Sequence, residues 1–270
     1  MVASGQPEFR SPSSVLVTGF DPFGGSPVNP SWQAVQALDG RVIAGARVVG
    51  AELPTVFGAA IERLAALLEA HQPDLVICTG QAGGRPALSL ERVAINVDDA
   101  RIPDNAGAQP VDRPVVEGGP AAYFSTLPIK AMLRALLEAG VPAEVSQTAG
   151  TFVCNHVFYG LLHLLAQPRW RHVRGGLVHV PWLPEQGQPC LPLAQIVGGL
   201  EAAIACALRT QRDIRLRAGG GGRRRLESCS VHPQRRSALP LRGLRRHPDA
   251  RRPGGTRGGQ RGGAVGADRP

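Results

Sequence analysis

Phenylalanine, tyrosine and tryptophan make up only 4% of the 270 residues, and from position 212 to the end there are none. A stretch without aromatic anchors and with little apolar periodicity cannot bury enough surface to offset its chain entropy, so residues 212–270 are expected to be a disordered tail. Long hydrophobic runs are missing as well. None reaches the roughly 18 residues that a membrane-spanning helix needs, and the opening MVASGQPEFRSPSS lacks the apolar core of a secretory leader. These absences point to a cytoplasmic protein without a membrane partner. Cysteine is sparse: Cys78, Cys154, Cys190, Cys206 and Cys229 are odd in number and form no CxxC pair. That argues against a disulfide framework and against a structural zinc site. Each thiol is a small buried hydrophobe unless its surroundings single it out.

The formal charge of +9 is unevenly spread. Residues 212–270 hold sixteen Arg against Asp213, Glu227, Asp249 and Asp268, a net +12, which leaves −3 for residues 1–211. Arg-rich runs such as RRPGGTRGGQRGG can touch phosphates, but without aromatics to stack bases they offer nucleic acid only weak, non-specific, salt-sensitive binding. Arg, Gly, Pro and Ala dominate the tail, as in a GC-rich gene read in a shifted frame. The chain therefore divides into a polar extension over 1–13, a folded domain over 14–211 and the basic tail.

Within the domain, strand and helix patterns alternate. SVLVTGF (14–20) reads as a strand. Asn29-Pro30 offers a cap and a first-turn proline for a helix through Leu38. RVIAGARVVGAEL (41–53) reads as a hairpin or one bent strand. Phe57, Ile61, Leu64 and Leu68 mark one face of a helix from Thr55. DLVICTG (74–80), ALSLERVAINV (87–97), AEVSQTA (143–149) and GGLVHVPW (175–182) read as strands. Pro128 opens a helix with Ile129, Leu133, Leu136 and Leu137 inward, and residues 193–209 form the last helix. Such alternation implies an α/β fold, a sandwich around a largely parallel sheet.

In such sheets, ligands bind where the carboxyl ends of strands feed into helices. Cys154, in GTFVCNHVFYG, falls at one such transition. A thiol at a helix N-terminus meets unpaired N–H groups and the positive end of the dipole, both of which favour thiolate. The same N–H groups can hold an oxyanion. Cys78 and Cys206 lie in apolar settings and read as inert core. A nucleophilic thiol needs a base. His156 is two residues away and points to another side of the helix. His179 lies in the strand LVHVP, the next one after the Cys154 helix. It is a base at the same sheet edge or a half-buried strand histidine, and spacing does not decide between them. Glu91 stands in the apolar LSLERVAIN, where a carboxylate is costly unless paired. It is either the acid that orients the base or the partner of a neighbour such as Arg92. TGQAGG fits neither common phosphate-loop pattern, which leaves a phosphorylase-like reading weak.

VLVTGFDPFGG, PDLVICTGQAGGR, ERVAINVDDARIPDNAG, GTFVCNHVFYG and LVHVP, in this order and spacing, resemble the type I pyroglutamyl peptidases, a family of cysteine peptidases. The resemblance spans about residues 14–210. It implies a three-layer α/β/α sandwich with a mostly parallel mixed sheet, no cofactor or metal, and often a tetramer. The activity it implies is removal of N-terminal pyroglutamate from peptides by Cys154 as nucleophile, His179 as base and Glu91 as the orienting acid. It also implies that Phe20 and Phe23 flank the lactam ring, that Asn29, Gln81 and the backbone around Phe152 and Val153 read its polar edge, and that Arg101 supports the oxyanion. An inactive relative would lack part of the triad, and all three positions are present.

Overall fold

The computed structural model describes residues 14–218. The extension 1–13, and residues 219–270 with their expected disorder and shifted frame, lie outside the described residues.

The chain runs β1 (Ser14–Phe20), α1 (Pro30–Leu38), β2 (Val42–Ile43), β3 (Ala46–Leu53), α2 (Ala59–His71), β4 (Leu75–Gln81), β5 (Leu88–Glu91), β6 (Val93–Ile95), β7 (Ala122–Phe124), α3 (Ile129–Glu138), β8 (Ala143–Ser146), α4 (Val153–Leu165), a 3₁₀ turn (Pro168–Trp170), β9 (Arg174–Val180) and α5 (Leu193–Arg209). Seven strands form one sheet in the order β2-β3-β1-β4-β9-β5-β8, and β6 and β7 form a separate antiparallel pair.

Alternation along the central strands builds a core on both faces. Val15 and Val17 of β1 and Leu75 and Ile77 of β4 join one apolar cluster with Val35, Met132, Leu136, Leu200 and Ile204 from α1, α3 and α5. Leu16 and Phe20 of β1 and Val76 and Cys78 of β4 join the other, with Leu64 and Leu68 of α2 and Val157, Phe158 and Leu161 of α4. Strands buried on both faces in this way read as continuous apolar runs, which explains LVICTG and SVLV. The architecture is the expected three-layer α/β/α sandwich.

The sheet departs from a parallel order in one consequential place. β3, β1, β4 and β9 run parallel, but β5 pairs antiparallel with β9 and parallel with β8. The stretch 87–97 is not one strand. Its first half ends β5 inside the main sheet, and its second half starts the β6–β7 ribbon. β7, with only three residues, carries no period to read. RVIAGARVVGAEL resolves into the β2–β3 hairpin. Two helix details also differ. α2 starts at Ala59, after a turn held by Asp104 and His156. On α3, Leu137 is 54% exposed while Met132 is buried, because the inward stripe follows 129, 132, 133 and 136.

Helix ends show how local sequence fixes the frame. Asn29 caps α1 by accepting from Ser31 N–H at 3.1 Å, and Pro30 follows at the first helical position. α3 starts at Pro128 without a cap of its own. Its orphan N–H groups at Lys130 and Ala131 donate to the carboxylate of Asp213, at 3.0 and 2.9 Å. Leu216 and Ala218 also pack against the core cluster. Residues 212–218, assigned above to the tail, thus contribute to the domain.

Replacing Asp213 with alanine should cost about 0.5–2 kcal/mol, the usual value of a lost N-cap. Urea unfolding of Asp213→Ala checks this, and an unchanged midpoint would show that the contact contributes nothing.

Candidate active site

Three residues line up across the sheet on the α2/α4 face: Gly80 of β4 pairs with His179 of β9, which pairs with Ser89 of β5. Because β5 runs backwards, the residue two positions after Ser89 lies deeper in the sheet, under His179, rather than at the carboxyl edge. That residue is Glu91. Its side chain is on the same face, since positions two apart on a strand share one. Glu91 is 0% exposed, and its Oε1 accepts from His179 Nδ1 at 2.7 Å. The bond places the imidazole proton on Nδ1 and leaves Nε2 as the free base.

Cys154 is the second residue of α4 and comes down over this row. A methyl group on Gly80 would stand 2.7 Å from Cys154 Sγ, 3.4 Å from His179 Cδ2 and 3.6 Å from His179 Nε2. Sulfur and imidazole therefore share the small space that glycine leaves open. α4 begins without a side-chain cap at Phe152, and the first intrahelical bond runs from His156 N–H to Phe152 O. Among the described residues the N–H groups of Val153, Cys154 and Asn155 have no acceptor, as expected of a first turn. The Asn155 side chain ties this helix start to β6: it accepts from Ile95 N–H and donates to Ile95 O and Val97 O.

The other histidine near the thiol is occupied at both nitrogens. Gly58 N–H donates to His156 Nε2 at 2.9 Å, so the ring proton lies on Nδ1 and is donated to Asp98 Oδ2 at 2.8 Å. His156 thus anchors the turn before α2 and has no lone pair to offer Cys154.

The remaining candidate residues are placed as follows. Phe23 and Phe152 are half-buried, with ring centroids 6.0 Å apart, and Phe57 meets Phe152 edge-on at 5.5 Å. Phe20 is 2% exposed and Val153 fully buried, both within the α2/α4 core cluster. The Asn29 side chain is taken up by α1 and by Asp21 O, so it braces the turn leading to Phe23. Gln81 Oε1 accepts from Gln186 Nε2 at 3.1 Å, while its own amide nitrogen donates to no described residue. Arg101 is exposed on a loop stitched to the Cys154 segment by Asp99 N–H to Thr151 O and Thr151 Oγ1 to Asp99 O.

Four contributors escape a reading of the sequence: Gly80, Phe57, Gln186 and Arg85. The ion-pair partner of Glu91 is Arg85, with Nη1 at 2.6 Å from Oε1, and not Arg92, whose Nε donates to Gln147. Only the glycine and arginine of TGQAGGR, next to a strand end, could have hinted at two of them. Among the described residues, no group of three or more His, Cys, Asp or Glu side chains is arranged to hold a metal ion, and no helix is long and apolar enough to cross a membrane.

The sequence profile of the pyroglutamyl peptidases matches residues 13–210. The chain belongs to this family. It is 60% identical over 211 residues to the pyrrolidone-carboxylate peptidase of Cupriavidus necator, covering 76% of this chain and 98% of that one. It is 61% identical over 212 residues to pyrrolidone-carboxylate peptidase 1 of Ralstonia nicotianae, covering 77% and 98%. Among solved structures, the crystal structure of pyroglutamyl peptidase I from Bacillus amyloliquefaciens superposes with a TM-score of 0.73 at 48% identity, covering 75% of this chain and 100% of that one. The family match takes in Cys154, His179, Glu91 and every residue gathered around them, and it ends one residue after α5.

The surroundings of Cys154 favour the protonated thiol. Burial, helped by the Glu91 carboxylate and opposed by the Arg85 guanidinium, pushes Cys154 up to about 12. The first-turn N–H groups act the other way, but they reach an anion only once it forms. The proton then leaves Sγ as the thiol reacts, which requires an adjacent base.

Two outcomes are expected. Alkylation of Cys154 by iodoacetamide should climb by about tenfold per pH unit from pH 7 to 9, following the thiolate fraction. A plateau below pH 8 would reveal a preformed thiolate. Gly80→Ala should turn Sγ aside at little cost in stability, because the clash is with the tip of a side chain. Turnover should fall by about a hundredfold, the usual result of a small misplacement, while the melting temperature holds. Full activity in that variant would remove Gly80 from the site.

Proposed function

We propose that this protein is a cysteine exopeptidase that removes pyroglutamate from peptide N-termini, with Cys154 as nucleophile, His179 as base and Glu91 as the acid that orients it. The observation that carries this reading is the convergence of Cys154 Sγ and His179 Nε2 over Gly80, with His179 fixed from behind by Glu91.

The steps balance with these groups alone. His179 Nε2 takes the thiol proton as Sγ attacks the carbonyl carbon of the peptide bond that joins pyroglutamate to the next residue. The oxyanion is met by the unpaired N–H groups at the start of α4, with Arg101 on the neighbouring loop as further support. Nε2–H then protonates the leaving amine, the C–N bond breaks, and a thioester remains. Water, deprotonated by Nε2, attacks the thioester, and pyroglutamate leaves as Sγ regains its proton.

The lactam is flat and neutral, so apolar faces and amide-type edges suit it. The half-buried Phe23 and Phe152 supply aromatic surface and Phe20 closes the wall behind them. The free amide nitrogen of Gln81 can donate to the ring carbonyl, and the backbone at Phe152 and Val153 can meet the rest of the edge. Asn29 acts through the turn it braces. A charged α-amino group has no partner in such a slot. A thiol nucleophile suits the reducing cytoplasm, and the resemblance implies a homotetramer, which sedimentation velocity tests.

Cys154→Ser should abolish cleavage of a pyroglutamyl-coumarin substrate with the fold intact. Peptides that begin with Gln or Glu should resist. A prolyl substrate has the ring without the carbonyl and leaves the Gln81 donor unpaired, a loss of about 1–3 kcal/mol. Equal rates on prolyl and pyroglutamyl substrates, or full activity in the serine variant, would refute the reading.

A further inference from the structure

Glu91 Oε1 accepts two hydrogen bonds, one from His179 Nδ1 and one from Arg85 Nη1, while Oε2 has no hydrogen-bond partner among the described residues. Arg85 is itself held in place. Nη2 donates to Thr148 O at 3.0 Å, and Nη1 also reaches Ser146 Oγ at 3.3 Å. Its side chain is 27% exposed, so one end of the guanidinium meets solvent and the other meets a fully buried carboxylate. Ser146 ends β8 and Thr148 lies on the segment from β8 to α4, so the same side chain ties the Glu91 strand to the approach to Cys154.

We propose that Arg85 is a positioning residue of the catalytic group, the cationic end of a line of contacts running from Cys154 through His179 and Glu91. The proposal rests on the cysteine-peptidase reading above. When His179 takes the thiol proton, the line alternates in sign: thiolate, imidazolium, carboxylate, guanidinium. Without the last member it ends on a buried carboxylate with no countercharge. The sulfur would then form its anion facing an excess of negative charge. The groups that act on the thiol are Glu91 of β5, Arg85 of the loop after β4, the Cys78 thiol of β4 and His179 of β9. His156 of α4 is turned away and bound to Asp98.

The sign of the effect follows. Removing a cation makes the thiol hold its proton more firmly, so the pH profile of Cys154 alkylation by iodoacetamide, which needs no substrate, moves to higher pH. Arg85→Gln, which keeps a donor but loses the charge, should shift that profile upward by about half to one pH unit. It should also lower kcat more than it raises KM, because Arg85 does not line the lactam pocket. Arg85→Lys keeps the charge and should leave the profile close to that of the wild type, even if losing the Ser146 and Thr148 contacts lowers the melting temperature. A profile that stays in place in Arg85→Gln, with only the melting temperature reduced, would make Arg85 a structural clamp and overturn the proposal. So would equal shifts in the Gln and Lys variants. If the wild type fails to cleave pyroglutamyl substrates, the function falls, but the alkylation profiles still decide the role of Arg85.

Discussion

A 2.7 Å hydrogen bond from His179 to the fully buried Glu91 sets the geometry of the candidate site. A carboxylate with no exposure is tolerated only where charge and donors meet it. The sheet supplies both by a reversal of one strand. Had β5 run parallel to β9, the residue two beyond Ser89 would have risen above the sheet edge into water, where an imidazole is held loosely. Running antiparallel, β5 carries Glu91 down beneath the ring. Depth fixes the tautomer, and the tautomer aims Nε2 at the space above Gly80. Glycine at that point follows from the same geometry, since any side chain would occupy the place of the sulfur.

The burial that holds Glu91 against His179 works against a charge on the neighbouring sulfur. It raises the cost of a thiolate at Cys154, and the Glu91 charge adds to it. Two features offset this cost: the uncapped first turn of α4 and the guanidinium of Arg85. An uncapped helix start is a local loss of stability, ordinarily about 1 kcal/mol. Here the open N–H groups are backbone donors beside the sulfur. The turn is kept in place from the side instead, by two hydrogen bonds of Asn155 to Ile95 of β6 and one to Val97 just beyond it.

The elements legible in the sequence were those set by local rules. β1, α1 and α5 have the expected limits because apolar alternation, an Asn-Pro helix start and a long amphipathic run each identify themselves. Of the candidate site, helix geometry marks Cys154 as a candidate and sets His156 aside. The resemblance is what selects Cys154, His179 and Glu91 together. What stayed hidden depends on pairing across the sheet. The reversal of β5 leaves no trace in LSLE, since a strand buried on both faces reads alike in either direction. Arg92 adjoins Glu91 in sequence but points to the opposite face, whereas Arg85 approaches from a loop six residues earlier. Phe57 is recruited only because His156 and Asp104 hold the turn that presents it. Asp213 resembled tail because composition averages over a segment, while a single carboxylate suffices to finish a helix.

The site is therefore drawn from short pieces, each held by contacts outside the chemistry. The loop after β1 presents Phe23 and is braced by Asn29. The end of β4 gives Gly80 and Gln81, with Gln186 joining Gln81 to the loop at Ser26 and Val28. α4 contributes Phe152 and Cys154, and Thr151 fastens its start to the Arg101 loop. On the reading proposed above, fastening each piece separately lets aromatic walls, amide edge and thiol be set independently, which a flat, uncharged ring demands. With no charge on the lactam to attract it over distance, recognition rests on close fit at every edge. A site that recognises by fit needs rigid walls more than strong ones, and polar side chains such as Asn29, His156 and Gln186 supply that rigidity from behind.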